Sequence, residues 1–133
     1  MVSIDQLAYY QSKLAYETDS ADLYDAIENG EAIVVVDGRA ASAYDREHIP
    51  DAISLPHREI SADTTASLDK SKTYVCYCDG IGCNASTKTA LKLLQLGFQV
   101  RELIGGLDWW KRDGYPTHLS EAGVAVGIRC GCN

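Results

Sequence analysis

The chain alternates between segments in which apolar residues recur at helical spacing and short, continuous apolar runs. Helical spacing predicts helices over residues 3–13, from Asp19 or Ser20 to Asn29-Gly30, over 40–46, from Asn84 towards Gly97, and around Trp109 and Trp110. The apolar runs predict strands over 14–18, 32–36, 52–55, 73–77 and 99–103. A polar connection over 57–72 lies between the strands 52–55 and 73–77. The tail over 117–133 is predicted to be irregular because its apolar residues show no sustained period.

The order of these elements predicts the fold class. Strands alternate with helices through connections too long for hairpins, so we expect an α/β fold with three layers, in which a central, mainly parallel five-stranded sheet is flanked by helices. Residues 1–13 are predicted to add an N-terminal helix, 14–116 to form the domain and 117–133 to form the irregular tail. Sites in such sheets form at the carboxyl ends of strands.

Length and composition limit the fold and its surroundings. The 133 residues fit one compact domain, and a composition that is 46% hydrophobic and 23% charged is ordinary for a globular protein. No apolar run approaches the roughly 20 residues that a membrane-spanning helix needs. The amino terminus lacks the basic start and apolar stretch of a secretory signal, so we expect a cytoplasmic protein.

The charge balance argues against two classes of partner. A net charge of −7 leaves no surplus of Lys and Arg, which both nucleic acids and anionic membrane surfaces require. We therefore expect neither as a partner. The same charge mildly disfavours small anionic substrates, although local N–H groups can outweigh a distant field.

The cysteines are odd in number and crowded into two places. They are Cys76, Cys78, Cys83, Cys130 and Cys132. A disulfide framework that staples a small secreted domain has an even number of spread cysteines, so reduced thiols with a chemical role fit this pattern better.

Cys78 occupies the position with the strongest chemical signal. It follows the predicted strand 73–77 and precedes a run of small residues that leads into a predicted helix. Backbone N–H groups surround a thiol in such a turn, and the positive end of the next helix dipole favours the thiolate. The alternative is a small apolar residue after a buried strand, and the local sequence does not decide between the two.

Three separated segments resemble the rhodanese-like sulfurtransferase domain. The first runs from Asp37-Gly-Arg39 through Tyr44 and His48-Ile-Pro50 to Ala52, the second is Val75-Cys-Tyr-Cys78 with its loop, and the third is Ile104-Gly-Gly-Leu-Asp-Trp-Trp110. They stand in the order and spacing of that family. The resemblance covers about residues 14–116 and implies the family's fold.

Two departures from the family pattern affect what the resemblance implies. Glu47 and Asp51 replace glycines that are usual in the first motif, which suggests a turn compatible with side chains. The loop after Cys78 is longer than the commonest form and contains a second thiol, Cys83. Loop size in this fold is expected to tune which atom the site accommodates.

The resemblance implies transfer of sulfane sulfur through a persulfide. The Cys78 thiolate would attack the outer sulfur of thiosulfate or another persulfide, and a thiol or cyanide would then accept the sulfur. The loop that would bind substrate and persulfide, without a metal or an organic cofactor, comprises Asp79, Gly80, Ile81, Gly82, Cys83, Asn84 and Ala85. The alternative is a non-enzymatic sulfur-carrier or redox-sensing module that uses Cys78 and Cys83 and hands sulfur to an accepting protein.

Three charged residues are predicted to support the site. Asp37 and Arg39 would orient the loop or pair with Asp51, but a salt bridge at the strand end that shapes the fold is the interpretation we favour. Arg58 would approach an anionic donor, unless it is simply exposed to solvent. His48 and His57 are candidate acids or bases, although sulfur transfer between thiolates needs no proton shuttle.

The remaining thiols and Asn84 each have two interpretations. Cys83 is a resolving or accepting thiol, or a small residue packed at the helix start, and we favour the second. Cys130-Gly-Cys132 would bind a soft metal or relay sulfur, but two ligands leave a tetrahedral zinc site incomplete. Asn84 stands where Cys-x-x-x-x-x-Arg phosphatases place their Arg, which counts against phosphatase or arsenate reductase chemistry.

Overall fold

The computed structural model describes residues 2–120. This part of the chain contains five α-helices: α1 (Ile4–Tyr16), α2 (Ser20–Glu28), α3 (Ala41–Arg46), α4 (Ala85–Gln95) and α5 (Gly106–Arg112). Its strands are β1 (Glu17–Thr18), β2 (Ile33–Asp37), β3 (Glu47–His48), β4 (Ile53–Ser54), β5 (Thr73–Tyr77), β6 (Gln99–Leu103) and β7 (His118–Leu119). A short 3-10 helix spans His57–Glu59.

Five of the strands form one sheet in the order β1-β6-β5-β2-β4, and all their pairings are parallel. In the centre, Val35 of β2 is in register with Val75 of β5, which in turn is in register with Arg101 of β6. The predicted fold class is confirmed. The order places β5 in the middle of the sheet, so the residue that follows it lies among the ends of the neighbouring strands.

Both faces of the sheet are covered because the central strands carry apolar side chains on both sides. One face packs Val35, Val75 and Tyr77 against Leu23 of α2 and Trp110 of α5. The opposite face packs Val36, Tyr74 and Cys76 against Leu93 of α4 and against Phe98. Side chains alternate along a strand, so a continuous apolar run supplies both layers.

The N-terminal helix is longer than predicted. It continues to Tyr16, and only Glu17–Thr18 of the predicted strand 14–18 pairs with β6. The last turn of α1 is held by Arg101, which donates from Nε to the Ala15 carbonyl at 2.9 Å and from Nη2 to the Leu14 carbonyl at 3.0 Å. This support comes from a residue far away in the sequence, which local spacing does not show.

Part of the tail that was predicted to be irregular forms a strand. In β7, His118 pairs with His48 and Leu119 with Glu47, in an antiparallel arrangement. The Ser120 N–H extends the contact by donating to the Arg46 carbonyl at 2.9 Å. The prediction for residues 118–119 was therefore wrong, because a two-residue strand is fixed by its partner rather than by a period. Cys130 and Cys132 lie outside the described residues.

Residues 2–120 contain neither a membrane-spanning helix nor a cluster of potential metal ligands. No helix in this range is long and apolar enough to cross a membrane. In the same range, no group of three or more His, Cys, Asp or Glu side chains is placed to hold a metal ion.

Candidate active site

Cys78 lies directly after β5, at the carboxyl edge of the sheet, where its residue is 2% exposed. The neighbouring strand β2 ends beside it, because the Gly38 N–H donates to the Tyr77 carbonyl at 3.0 Å. The sheet thus places the thiol at the kind of edge where α/β proteins bind ligands.

The loop after Cys78 rests on the start of α5. The Leu107 N–H donates to the Cys78 carbonyl at 2.9 Å, and the Asp108 N–H donates to the Asp79 carbonyl at 2.8 Å. Gly106 permits this approach, because a Cβ at that position would collide with the Cys78 carbonyl oxygen and with the Gly80 nitrogen. Its φ of 57° also lies in the left-handed region that favours glycine.

Sequence reasoning did not find this support. In the sequence, Gly105-Gly106 is assigned only to the third family motif, without a contact to the Cys78 loop. The signal for this contact in the sequence is Gly106. One glycine is enough for the turn before the helix, so a second, adjacent glycine indicates that another backbone segment approaches closely.

Cys83 is joined to Cys78 by a disulfide, with their Cα atoms 6.4 Å apart. The Cys83 N–H also donates to the Gly80 carbonyl at 3.3 Å, which closes a turn and brings the loop back over the strand end. Cys83 is partly exposed, whereas Cys78 is buried. The structure therefore shows the pairing that sequence analysis kept as the less favoured interpretation of Cys83.

The other loop residues differ in their exposure. Gly80 packs against Asp108, and Ile81 at the tip of the loop is 82% exposed. Asn84 precedes α4 without a side-chain capping hydrogen bond, while Ala85 is buried. Gly82 has a φ of 92°, so the loop bends there in a conformation that few other residues adopt.

Arg39 connects the end of β2 to the loop. Its Nη2 donates to Asp37 at 2.7 Å and its Nη1 donates to Asp79 at 3.0 Å, with 5% of the Arg39 side chain exposed. A further bond from Nη2 reaches the Glu47 carbonyl. Within residues 2–120 the ion partners of Arg39 are thus Asp37 and Asp79, and the predicted alternative of Asp51 is not among them.

Burial alone would lower the pKa of Arg39, but the hydrogen bonds and charge of Asp37 outweigh it and raise this pKa. Tyr77 completes the cluster, since its hydroxyl donates to Asp37 at 2.8 Å. Burial, followed by the Asp37 charge, raises the pKa of Tyr77, so the phenol remains neutral and able to donate. The buried Asp37 carboxylate is therefore surrounded by donors.

Cys76 lies within β5 and is fully buried. Burial, with a smaller contribution from the charge of Glu102, raises the pKa of its thiol. A buried, protonated thiol is a poor nucleophile.

Arg58 lines a cavity of about 230 Å³ at the same edge of the sheet. The cavity is also lined by Gly38, which follows β2, and by Glu59. One positive and one negative side chain, Arg58 and Glu59, therefore line it. Arg58 is itself exposed, in agreement with the alternative that it is simply exposed to solvent. Cys78 does not line this cavity.

Two residues of the first motif take defined structural positions. His48 Nδ1 lies 2.8 Å from the Tyr44 carbonyl, and its ring stacks on Tyr44 with centroids 3.8 Å apart. Asp51 has a φ of 65°, a left-handed conformation that Asp tolerates better than most side chains. The turn thus accepts a side chain at Asp51 in a conformation for which glycine is the usual residue.

The order of elements and the position of Cys78 agree with a known family. A model of the rhodanese-like domain matches residues 19–113. The chain belongs to the rhodanese-like domain family. The resemblance seen in the sequence motifs is thereby confirmed, and so is the rhodanese-like fold that it implied.

Three similar proteins illustrate the range of this family. The crystal structure of the BH2092 protein from Bacillus halodurans is 48% identical, covers 86% of this chain and 84% of that one, and has a TM-score of 0.82. The thiosulfate sulfurtransferase GlpE from Coxiella burnetii is 36% identical over 64% of this chain and 77% of its own length. The HTH-type transcriptional regulator Rv0324 from Mycobacterium tuberculosis is 33% identical over 80% of this chain, which spans only 45% of the regulator.

Proposed function

We propose that the protein is a sulfurtransferase that moves sulfane sulfur from thiosulfate or a persulfide donor to a thiol or cyanide. The observation that carries the proposal is the position of Cys78, directly after the central strand and inside a loop held by α5, in a rhodanese-like domain. The similarity to a protein named thiosulfate sulfurtransferase supports the reaction class.

The proposed reaction has two displacement steps. The Cys78 thiolate attacks the outer sulfur of the donor, the S–S bond of the donor breaks, and the remainder leaves as sulfite or as a thiolate. Cyanide or an acceptor thiolate then attacks the outer sulfur of the Cys78 persulfide, giving thiocyanate or a new persulfide and restoring the Cys78 thiolate. Neither step needs a metal or an organic cofactor.

The residues of the loop have a role in this proposal. The persulfide carries negative charge on its outer sulfur, and backbone N–H groups of the loop from Asp79 to Ala85, other than that of Cys83, stabilise that charge. Asp37 and Arg39 keep the loop in place through Asp79. The Cys78–Cys83 disulfide must first be opened by a thiol, because a sulfur atom held in a disulfide cannot act as the nucleophile. We also place the protein in the cytoplasm, where thiols are kept reduced.

Turnover tests the proposal. Reduced protein is mixed with thiosulfate or a small persulfide and with excess cyanide, and thiocyanate is measured over time. We expect many molecules of thiocyanate per chain, at a steady rate proportional to protein concentration. Formation of one equivalent or less, followed by no further product, would refute the enzyme and favour the sulfur carrier.

The disulfide favours a second function, redox sensing by Cys78 and Cys83. Peroxide converts a reactive thiolate to a sulfenic acid, and a nearby thiol captures it as a disulfide before further, irreversible oxidation occurs. Cys83, whose sulfur is bonded to that of Cys78, is placed for this capture.

Replacement of Cys83 by Ser tests this protective role. After brief treatment with peroxide, wild type is expected to regain nearly all its activity on addition of dithiothreitol, whereas Cys83→Ser is expected to regain little, because Cys78 proceeds to sulfinic acid. Activity before and after reductant, with the mass of the Cys78 peptide, gives the answer. Equal recovery in both proteins would show that Cys83 does not protect Cys78.

A further inference from the structure

Two histidines lie side by side near the end of the described part of the chain. In the antiparallel pair of β3 and β7, His48 is in register with His118, and their ring centroids are 5.0 Å apart. Two nitrogens that bind one zinc ion are separated by about 3.3 Å, because each Zn–N bond is about 2.0–2.1 Å long. Rings at the observed distance can present nitrogens at that separation, so the pair is suited to share a metal ion.

The ring of His48 is held as the ring of a metal ligand usually is. Its Nδ1 lies 2.8 Å from the Tyr44 carbonyl oxygen, which can only accept a hydrogen bond, so Nδ1 carries the proton. The lone pair of the neutral ring is therefore on Nε2. Metal-binding histidines typically donate one ring N–H to a carbonyl or carboxylate in this way and bind the ion through the other nitrogen.

Both histidines line a cavity of about 350 Å³. Asp51 lines the same cavity, and its negative charge favours a cation there. Residues 2–120 nevertheless contain no group of three or more His, Cys, Asp or Glu side chains placed to hold an ion. A tetrahedral site at this cavity therefore needs further ligands from outside the described residues.

The sequence after Ser120 supplies two such ligands. The described part of the chain ends at Ser120, two residues after His118, and Cys130 and Cys132 follow further on. About ten residues separate Ser120 from Cys130, and an extended chain advances by about 3.3 Å per residue, so both thiols are within reach of the cavity. Residues two apart in an extended segment face the same side, which allows the two thiolates to bind one ion.

We propose that His48, His118, Cys130 and Cys132 form a structural zinc site that fastens the C-terminal segment to β3. Two imidazoles and two thiolates in a tetrahedral arrangement are a ligand set typical of zinc. Four protein ligands leave no open position for a substrate, so the site is separate from the proposed sulfur transfer. On binding, each of the two thiols releases its proton to solvent, and the zinc ion keeps its oxidation state.

Titration of the full chain with Zn²⁺ tests the site. The host protein carries Cys78→Ser and Cys83→Ser, so that these two thiols do not bind the metal, and it is kept fully reduced. We expect one zinc ion to bind per chain and to raise the temperature of thermal unfolding. Co²⁺ in place of Zn²⁺ is expected to give the absorption spectrum of a tetrahedral ion with thiolate ligands.

Variants of this host, each checked for its fold by circular dichroism, test the ligands. His118→Phe keeps a ring beside His48 without a nitrogen, and it is expected to lower the zinc affinity at least about a hundredfold, as are Cys130→Ser and Cys132→Ser. His118→Cys removes the ring but supplies another zinc ligand, so its affinity is expected to stay within about tenfold of the host. His57→Gln is the matched control, because His57 lies on the 3-10 helix and does not line this cavity. Its zinc affinity is expected to equal that of the host.

Several results would overturn the zinc site. A host that binds no zinc, or an unchanged affinity in His118→Phe, would show that the pair of histidines is not a ligand set. Equal weakening in His118→Phe and His118→Cys would show that His118 contributes packing rather than a ligand. A dimer that forms only with zinc, detected by light scattering, would place the ligands on two chains. None of these results depends on whether Cys78 transfers sulfur.

Discussion

Cys78→Ser is expected to lower the rate of sulfur transfer by at least about a thousandfold, because removal of a catalytic nucleophile leaves only binding to accelerate the reaction. A serine hydroxyl is a weak nucleophile towards sulfur. Serine also lacks the sulfur atom that a cysteine persulfide requires. The measurement is the initial rate of thiocyanate formation with reduced protein. The fold is expected to remain, since serine has the same shape as cysteine and is slightly smaller.

Cys76→Ala is the matched control for this variant. Cys76 lies two residues earlier on the same strand, but it is buried and protonated. We expect its replacement to lower stability slightly, through a small cavity, and to leave the transfer rate near that of wild type. An equal loss of activity in the two variants would contradict the assignment of Cys78 as the nucleophile.

Arg39→Met is expected to destabilise the fold by about 3–5 kcal/mol, because it leaves the buried Asp37 carboxylate without its charged partner. Asp37 is fully buried and Arg39 is 4% exposed, so water cannot replace the lost guanidinium without opening the structure. The variant also removes the bond to Asp79 that holds the loop. Urea unfolding followed by circular dichroism gives the change in the free energy of unfolding.

Two further variants show whether the unpaired carboxylate is the cause. The double variant Asp37→Asn, Arg39→Met removes both charges and is expected to lose less stability than Arg39→Met alone. Arg58→Met removes an exposed guanidinium and is expected to change stability by no more than about 0.5 kcal/mol. If the double variant is as unstable as the sum of Arg39→Met and of Asp37→Asn, each measured alone, the pair is not coupled.

The sequence predicts the central sheet well because a strand that is buried on both faces has a continuous run of apolar residues. The strand predicted over 73–77 matches β5, and the one over 99–103 matches β6. Helix α2 ends where the Asn29-Gly30 signal placed its end. In these segments the local pattern and the packing require the same residues.

Elements that depend on distant contacts were missed or misplaced. β7 forms because it pairs with Glu47 and His48 of β3, and the Thr117 hydroxyl donates to Glu47 at 2.6 Å. The last turn of α1 depends on Arg101. The spacing of apolar residues near these elements reflects neither contact, so neither contact can be predicted from the local sequence.

The candidate site likewise has features that the local sequence predicts and features that depend on distant contacts. Cys78 and its small-residue loop follow from the order of strand, loop and helix, whereas the pairing of Arg39 with Asp79 joins residues that follow two different strands, β2 and β5. The disulfide between Cys78 and Cys83 depends on how the loop folds back, which a spacing of five residues does not determine. The support from α5 depends on Gly106, at the start of the helix after the last central strand.

The most direct test of the central claim is to locate the transferred sulfur. Reduced protein is incubated with a persulfide donor, its thiols and persulfides are blocked by alkylation, and its peptides are analysed by mass spectrometry. We predict one additional sulfur atom on the peptide that contains Cys78, removed by dithiothreitol and absent from Cys78→Ser. Sulfur found on another cysteine, or undiminished in Cys78→Ser, would contradict the account.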